Sequence, residues 1–286
     1  MTASTRAELA TARRIVVKVG SSSISGDAAW RIPKLVEALA GAHARGAEVL
    51  LVSSGAIASG MPFLRLDSRP SDLATQQAAA AVGQNILVYR YQEALRAFGI
   101  VAGQVLLTAS DLDNAVPRSN ARRALERLLA LGVLPIVNEN DTVATHEIRF
   151  GDNDRLAAMV ARLVGADALV LLSDVDSLYT KPPTEPGAEP IDTIAFGEDL
   201  SGVEFGSTIV NSVGTGGAST KASAARLAAA AGIGVLVTSA DLVAEALAGG
   251  AIGTWFEPAD LDRVITTGPL DTLGESAAAG EPDNHV

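Results

Sequence analysis

The chain has 286 residues, and 22 Lys+Arg against 33 Asp+Glu give it a formal charge of −11, a balance opposite to that of proteins that grip nucleic-acid phosphates, with no local basic run to offset it. Hydrophobic residues make up 48% but aromatics only 4%, so the core is built from Ala, Val, Leu and Ile, the composition of helices packed on a buried parallel sheet. The absence of Cys excludes disulfides, thiolate metal sites and thiol catalysis, and three His (His43, His146, His285) are too few for a His-cluster metal site.

The first 14 residues, MTASTRAELATARR, carry scattered charge and no apolar stretch of signal length. Nowhere do the ~18 uninterrupted apolar residues of a membrane span occur, so a soluble cytoplasmic protein is expected. Beyond that segment, Val/Ile/Leu runs alternate with Ala/Leu/Arg stretches of helical period, the pattern of βαβ units on a mostly parallel sheet. Strands are predicted at 15–19, 48–52, 101–107, 133–137, 168–172 and 234–237, and helices at 30–45, 71–98, 117–131, 153–164 and 219–231. Pro117 suits a helix start. Residues 138–151 (NENDTVATHEIRFG) break the alternation and could form a small hairpin over the sheet. A second break, 181–213, holds Pro182, Pro183, Pro186 and Pro190 and reads as a long excursion with little regular structure, a length usually tied to function or mobility. After Phe256 the chain reads as a frayed tail, and neither a repeat nor a second domain is visible.

Ligands of open parallel sheets collect beyond the carboxyl ends of the strands, which directs attention to five segments. Strand one ends in Lys18, Gly20, Ser21 and Ser22. A lysine in an apolar strand is costly to bury without an anion, and the Gly-Ser-Ser turn offers amides and hydroxyls to a phosphate; a lysine snorkelling to solvent is the simpler alternative. Strand two runs into Ser53, Ser54, Gly55 and Gly60, small residues that admit a ligand to the backbone or merely make a turn. Gly214 to Lys221 (GTGGASTK) precedes a helix and has the composition of a phosphate cradle at a helix N-terminus. It is neither a P-loop nor G-x-G-x-x-G, because Ser219 replaces the third Gly. Ser173, Asp174 and Asp176 after strand five suit a nucleotide or its magnesium, or a helix cap. Asn138, Glu139, Asn140 and Asp141, followed by Asp152, Asn153 and Asp154, concentrate carboxylates and amides that repel one another unless they bind cations or an amine-bearing ligand. A solvated acidic loop, partly neutralised by Arg149 and Arg155, is the other reading. The three His have weak claims on the chemistry, His146 alone lying near the acidic loop, and Trp30 and Trp255 read as packing rather than recognition. Two lysines on glycine-containing loops opposite a carboxylate and amide cluster, with no nucleophile and no His base, suit phosphoryl transfer, which needs positioning and charge neutralisation more than covalent chemistry.

The motifs VVKVGSS (16–22), VSSGAIASG (52–60), GQVLLT (103–108), VNENDTVAT (137–145), FGDND (150–154), LLSDVDSLYT (171–180) and GTGGASTK (214–221) together resemble those of the amino acid kinase family, in the family's order. The resemblance runs from about residue 13 to 256, and NENDTVAT with GDND is its specific part; the lysine and glycine loops alone leave acetylglutamate and uridylate kinases open. It implies an α/β three-layer αβα sandwich with a mostly parallel central sheet. It further implies a kinase domain at 13–258, a tail at 259–286, and a chain that stops about where many members begin a PUA-type domain. The branch it points to phosphorylates the γ-carboxylate of L-glutamate with ATP, opening proline synthesis. By the resemblance, Lys18 and Lys221 flank the transferring phosphoryl group and Asp154 orients them. Ser54, Asn138, Asp141, Asp152 and Asn153 bind the amino acid. Lys18, Ser173, Asp174, Thr215, Gly216, Gly217, Ala218, Ser219, Thr220 and Lys221 bind ATP, with magnesium held mainly by phosphate oxygens and no metal site of the protein's own. Proline as feedback inhibitor, a homo-oligomer, and hand-over of the short-lived γ-glutamyl phosphate to the following reductase are further implications. Ala218 and Ser177 depart from the family's more common Met and Gly. A sensor that kept the fold without turnover, and a kinase for a different carboxylate, are the competing readings.

Overall fold

The computed structural model describes residues 2–144, 153–201, 203 and 217–260. Their centre is one eight-stranded sheet. In chain order the strands are β1 (Arg14–Val19), β2 (Glu48–Ser53), β3 (Ala102–Leu107), β4 (Leu134–Glu139), β5 (Ala168–Ser173), β6 (Thr193–Ile194), β7 (Gly234–Ser239) and β8 (Thr254–Phe256). They lie in the order β3-β4-β2-β1-β5-β7-β8-β6. Every pairing from β3 to β7 is parallel, β8 runs antiparallel to β7, and β6 pairs parallel with β8. Strand β1 is central, with β2 on one side and β5 on the other, so the connections reverse direction there. This is the switch point where an open α/β sheet leaves a crevice beyond its strand ends.

Alternation along β1 shows how the layers form. Ile15, Val17 and Val19 join a core with α1 (Arg31–Ala44), α3 (Leu73–Arg96) and α8 (Val243–Leu247). Val16 faces the other way, into a second core with α5 (Ala115–Ala130), α6 (Asn153–Val164) and α7 (Ala218–Ala229). Side chains of a strand alternate between faces, so Lys18 belongs to the α5–α6–α7 side. All six residues of β4 and the first five of β5 are buried, as expected for strands covered on both faces.

The strand and helix predictions match the larger elements to within a few residues, with Pro117 in the first turn of α5. Strands β6 and β8 were not foreseen, nor were the short helices α2 (Ala56–Gly60) and α4 (Ala109–Asp113). The excursion after Lys181 therefore contributes an edge strand. The proposed hairpin falls mostly on 145–152, outside the described residues, as do 204–216 and the tail beyond 260. Trp255 is buried in the core, whereas Trp30 is 57% exposed with Arg31 and Lys34 over its ring. Among the described residues no helix is long and apolar enough to cross a membrane.

Candidate active site

Lys18 is 1% exposed at the inner end of β1, beside Val52 of β2 and Leu171 of β5. A buried ammonium requires a counter-charge, and Asp154, in the first turn of α6 and fully buried, supplies one at 2.5 Å from Nζ to Oδ1. The second carboxylate oxygen of Asp154 lies 3.2 Å from Lys221 Nζ, in the first turn of α7. Thr220 Oγ1 sits 3.0 Å from the same oxygen. One carboxylate thus ties together residues from β1, α6 and α7. Among the described residues two lysines face one shared carboxylate, a cationic cluster that suits an incoming anion.

Of the residues expected on the nucleotide side, those from 217 to 220 lie next to this hub. Gly217 is the N-cap of α7; its N–H donates to Thr220 Oγ1 at 3.0 Å. Ala218 and Ser219 open the helix, and the twelve-residue α7 points its N-terminal amides to the same end of the sheet. Across the switch point, exposed Asp174 accepts hydrogen bonds from Ser22 Oγ at 3.0 Å and Ser23 Oγ at 3.1 Å. The loops after β1 and β5 are therefore fastened to each other, with half-buried Ser173 at the end of β5. Thr215, Gly216 and Asp152 lie outside the described residues.

On the other side of Lys18, the ends of β2 and β4 bring the amides together. Asn153 Nδ2 donates to the Ser53 carbonyl and to Asn138 Oδ1, both at 2.7 Å. Asn138 is 3% exposed, and its Nδ2 has no partner among the described residues. Half-buried Ser54 donates its N–H to the Val19 carbonyl at 3.1 Å, and half-buried Asp141 lies in the turn after β4. Gly55 follows with φ +94°, and a Cβ there would sit 2.5 Å from Ser25 Oγ, so the turn demands glycine. Helix α2 then packs backbone to backbone on α3. A Cβ on Gly60 would fall 2.0 Å from the Ala79 carbonyl oxygen, and one on Gly83 only 1.7 Å from that of Ala56.

Several contributors had not been anticipated. Gln84 of α3 donates to the Glu139 carbonyl at 3.2 Å, and Gln77 to that of Ala144 at 3.2 Å, so α3 holds the chain leaving β4. Tyr91 of the same helix reaches Ser53. The signal available was a polar residue inside an apolar four-residue spacing, Leu87–Tyr91–Leu95.

Solved structures carry the same architecture. Carbamate kinase from Giardia lamblia bound to AMP-PNP matches with a TM-score of 0.64 at 14% identity, covering 87% of this chain and 100% of that one. An isopentenyl phosphate kinase matches at 0.60 and 19% identity, covering 85% and 99%. These likenesses define the class of fold, a three-layer α/β sandwich. The chain belongs to the amino acid kinase family, whose model matches residues 13–239. Among its relatives, a glutamate 5-kinase from Clavibacter sepedonicus is 71% identical over 258 residues, 90% of this chain and 99% of that protein. One from Leifsonia xyli subsp. xyli is 66% identical, covering 91% and 96%, and one from Salinispora arenicola is 55% identical, covering 88% and 70%.

Proposed function

We infer that this chain transfers the γ-phosphoryl group of ATP to the γ-carboxylate of L-glutamate, giving L-glutamyl 5-phosphate and ADP, the first step of proline biosynthesis. The observation that carries the reading is 71% identity to a glutamate 5-kinase over 99% of that protein's length. Geometry supplies the chemistry. A glutamate side chain is ionised at neutral pH, so its oxygen attacks phosphorus with no base to remove a proton. One O–P bond forms as the bridging O–P bond to ADP breaks. Charge on the transferring group is met by Lys18 on one side and Lys221 on the other, while Asp154 keeps the two ammoniums from repelling each other apart. Ser54, Asn138, Asp141, Asp152 and Asn153 hold the amino acid. Ser173, Asp174 and residues 215–221 hold the nucleotide.

Among the described residues no three His, Cys, Asp or Glu gather as a metal site, and Asp154 is committed to two lysines. That donor set fits a magnesium ion held chiefly by nucleotide oxygens, where it would neutralise phosphate charge. The kinase unit spans 13–258, works in the cytoplasm as a homo-oligomer, is inhibited by proline, and passes its labile product to the following reductase. The test is ADP release from ATP and magnesium with glutamate, aspartate, acetylglutamate or UMP, with and without proline. Glutamate-dependent, proline-suppressed release is expected. Binding of ATP or proline without turnover on any acceptor would favour a sensor instead.

A further inference from the structure

Beneath the acceptor side runs a buried series of hydrogen bonds that starts on a helix away from the crevice. Tyr91 of α3 is fully buried, and a buried phenol needs a partner for its hydroxyl. Its Oη lies 2.9 Å from Ser53 Oγ, and Ser53 Oγ donates to the Ser54 carbonyl at 3.1 Å. A serine hydroxyl has one proton; with that proton on Ser54, Tyr91 is the donor to Ser53. Burial raises the pKa of the phenol, which keeps its proton in place.

From Ser53 the series continues into the candidate site. Its carbonyl accepts from Asn153 Nδ2, whose other proton goes to Asn138 Oδ1. Asn138 Oδ1 also accepts the Glu139 N–H at 2.8 Å. Two donors converge on that oxygen, so the amide cannot flip without opposing donor to donor. Its Nδ2 is therefore the group left over, buried and without a partner among the described residues. A buried donor left unmet is costly, and a carboxylate oxygen would satisfy it.

We propose that Tyr91 and Ser53 are positioning residues of the acceptor site: through the Ser54 carbonyl they fix the turn of backbone at residues 53–55, which sets the Ser53 carbonyl that holds the Asn153 amide, which aims the free N–H of Asn138 at a carboxylate of the acceptor. The proposal rests on the glutamate reading above. Nothing in packing alone requires this arrangement, since Phe and Ala would fill the same core without polar atoms.

Tyr91→Phe, Ser53→Ala and the double variant are compared with the parent and with Leu95→Val, an equally buried change on α3 that touches none of these bonds. Readouts are glutamate and ATP half-saturation, turnover, and Tm. Loss of one such bond is expected to raise glutamate half-saturation about three- to tenfold, leaving ATP half-saturation and turnover within about twofold, as loss of ground-state positioning does. The double variant should be no worse than the weaker single, because both break one series. Leu95→Val should lower Tm without moving either constant. Glutamate half-saturation unchanged in both singles, or moving together with that of ATP, overturns the proposal while leaving the activity intact. A parent without glutamate-dependent turnover overturns both.

Discussion

Asp154→Asn probes the hub most directly. The substitution preserves shape and removes the charge that faces Lys18 at 2.5 Å and Lys221 at 3.2 Å. All three side chains are at least nine-tenths buried, so the two ammoniums cannot turn to water. Breaking a buried pair by removing one partner costs about 3–5 kcal/mol, most of it the penalty of leaving charge uncompensated. At roughly 2–4 °C per kcal/mol for a domain of this size, Tm should fall by about 6–20 °C. Thermal scans with and without ATP distinguish charge from packing. If stranded cations are the cause, a polyanionic nucleotide supplies the missing charge, and the variant should be stabilised by ATP by more degrees than the parent. A variant within about 2 °C of the parent would refute the reasoning, since it would mean that the lysines find other partners at little cost. Equal gains with ATP in both proteins would point to lost packing instead.

Lys221→Ala should lower turnover by about 10²–10³-fold while glutamate half-saturation stays within about threefold, because in the reaction proposed above this ammonium acts on charge that develops during transfer. Steady-state kinetics checks the split, and near-normal turnover with a large rise in half-saturation would sink the role. Gly83→Ala puts a methyl carbon where the Ala56 carbonyl oxygen would be 1.7 Å away. The α2–α3 crossing must open, at a cost near or above the top of the ~1–3 kcal/mol range for overpacking, and a Tm matching the parent's would show that the crossing yields easily.

The main strands and helices could be read from the sequence because each carries its own signal: a buried apolar run such as 168–172, or a long stretch of helical period such as 73–96. Strands β6 and β8 carry none, being two and three residues long and stabilised by pairing with each other and with β7. Helix α2 is likewise a tertiary product, seated on α3 through Gly60 and Gly83. At the candidate site, Lys18 stood out as a charge in an apolar strand, and the amide and carboxylate cluster stood out by density. What could not be read was how they are joined. Thr220 reaching Asp154, and Tyr91 reaching Ser53, are contacts across the fold, and single residues of ordinary type do not announce distant partners. The face to which Lys18 points follows from alternation along β1, but its meeting with α6 and α7 depends on the order of strands.

Lys18 stands near the beginning of the chain, Asp154 near its middle and Lys221 another 67 residues on. No contiguous segment contains the triad, and contacts of such separation form late because long loops must close first. In the reaction proposed above, competence for transfer is thus withheld from nascent and partly folded chains. A half-assembled sheet has lysines but no common carboxylate to hold them, and so presents no matched pair of cations with which to spend ATP on water.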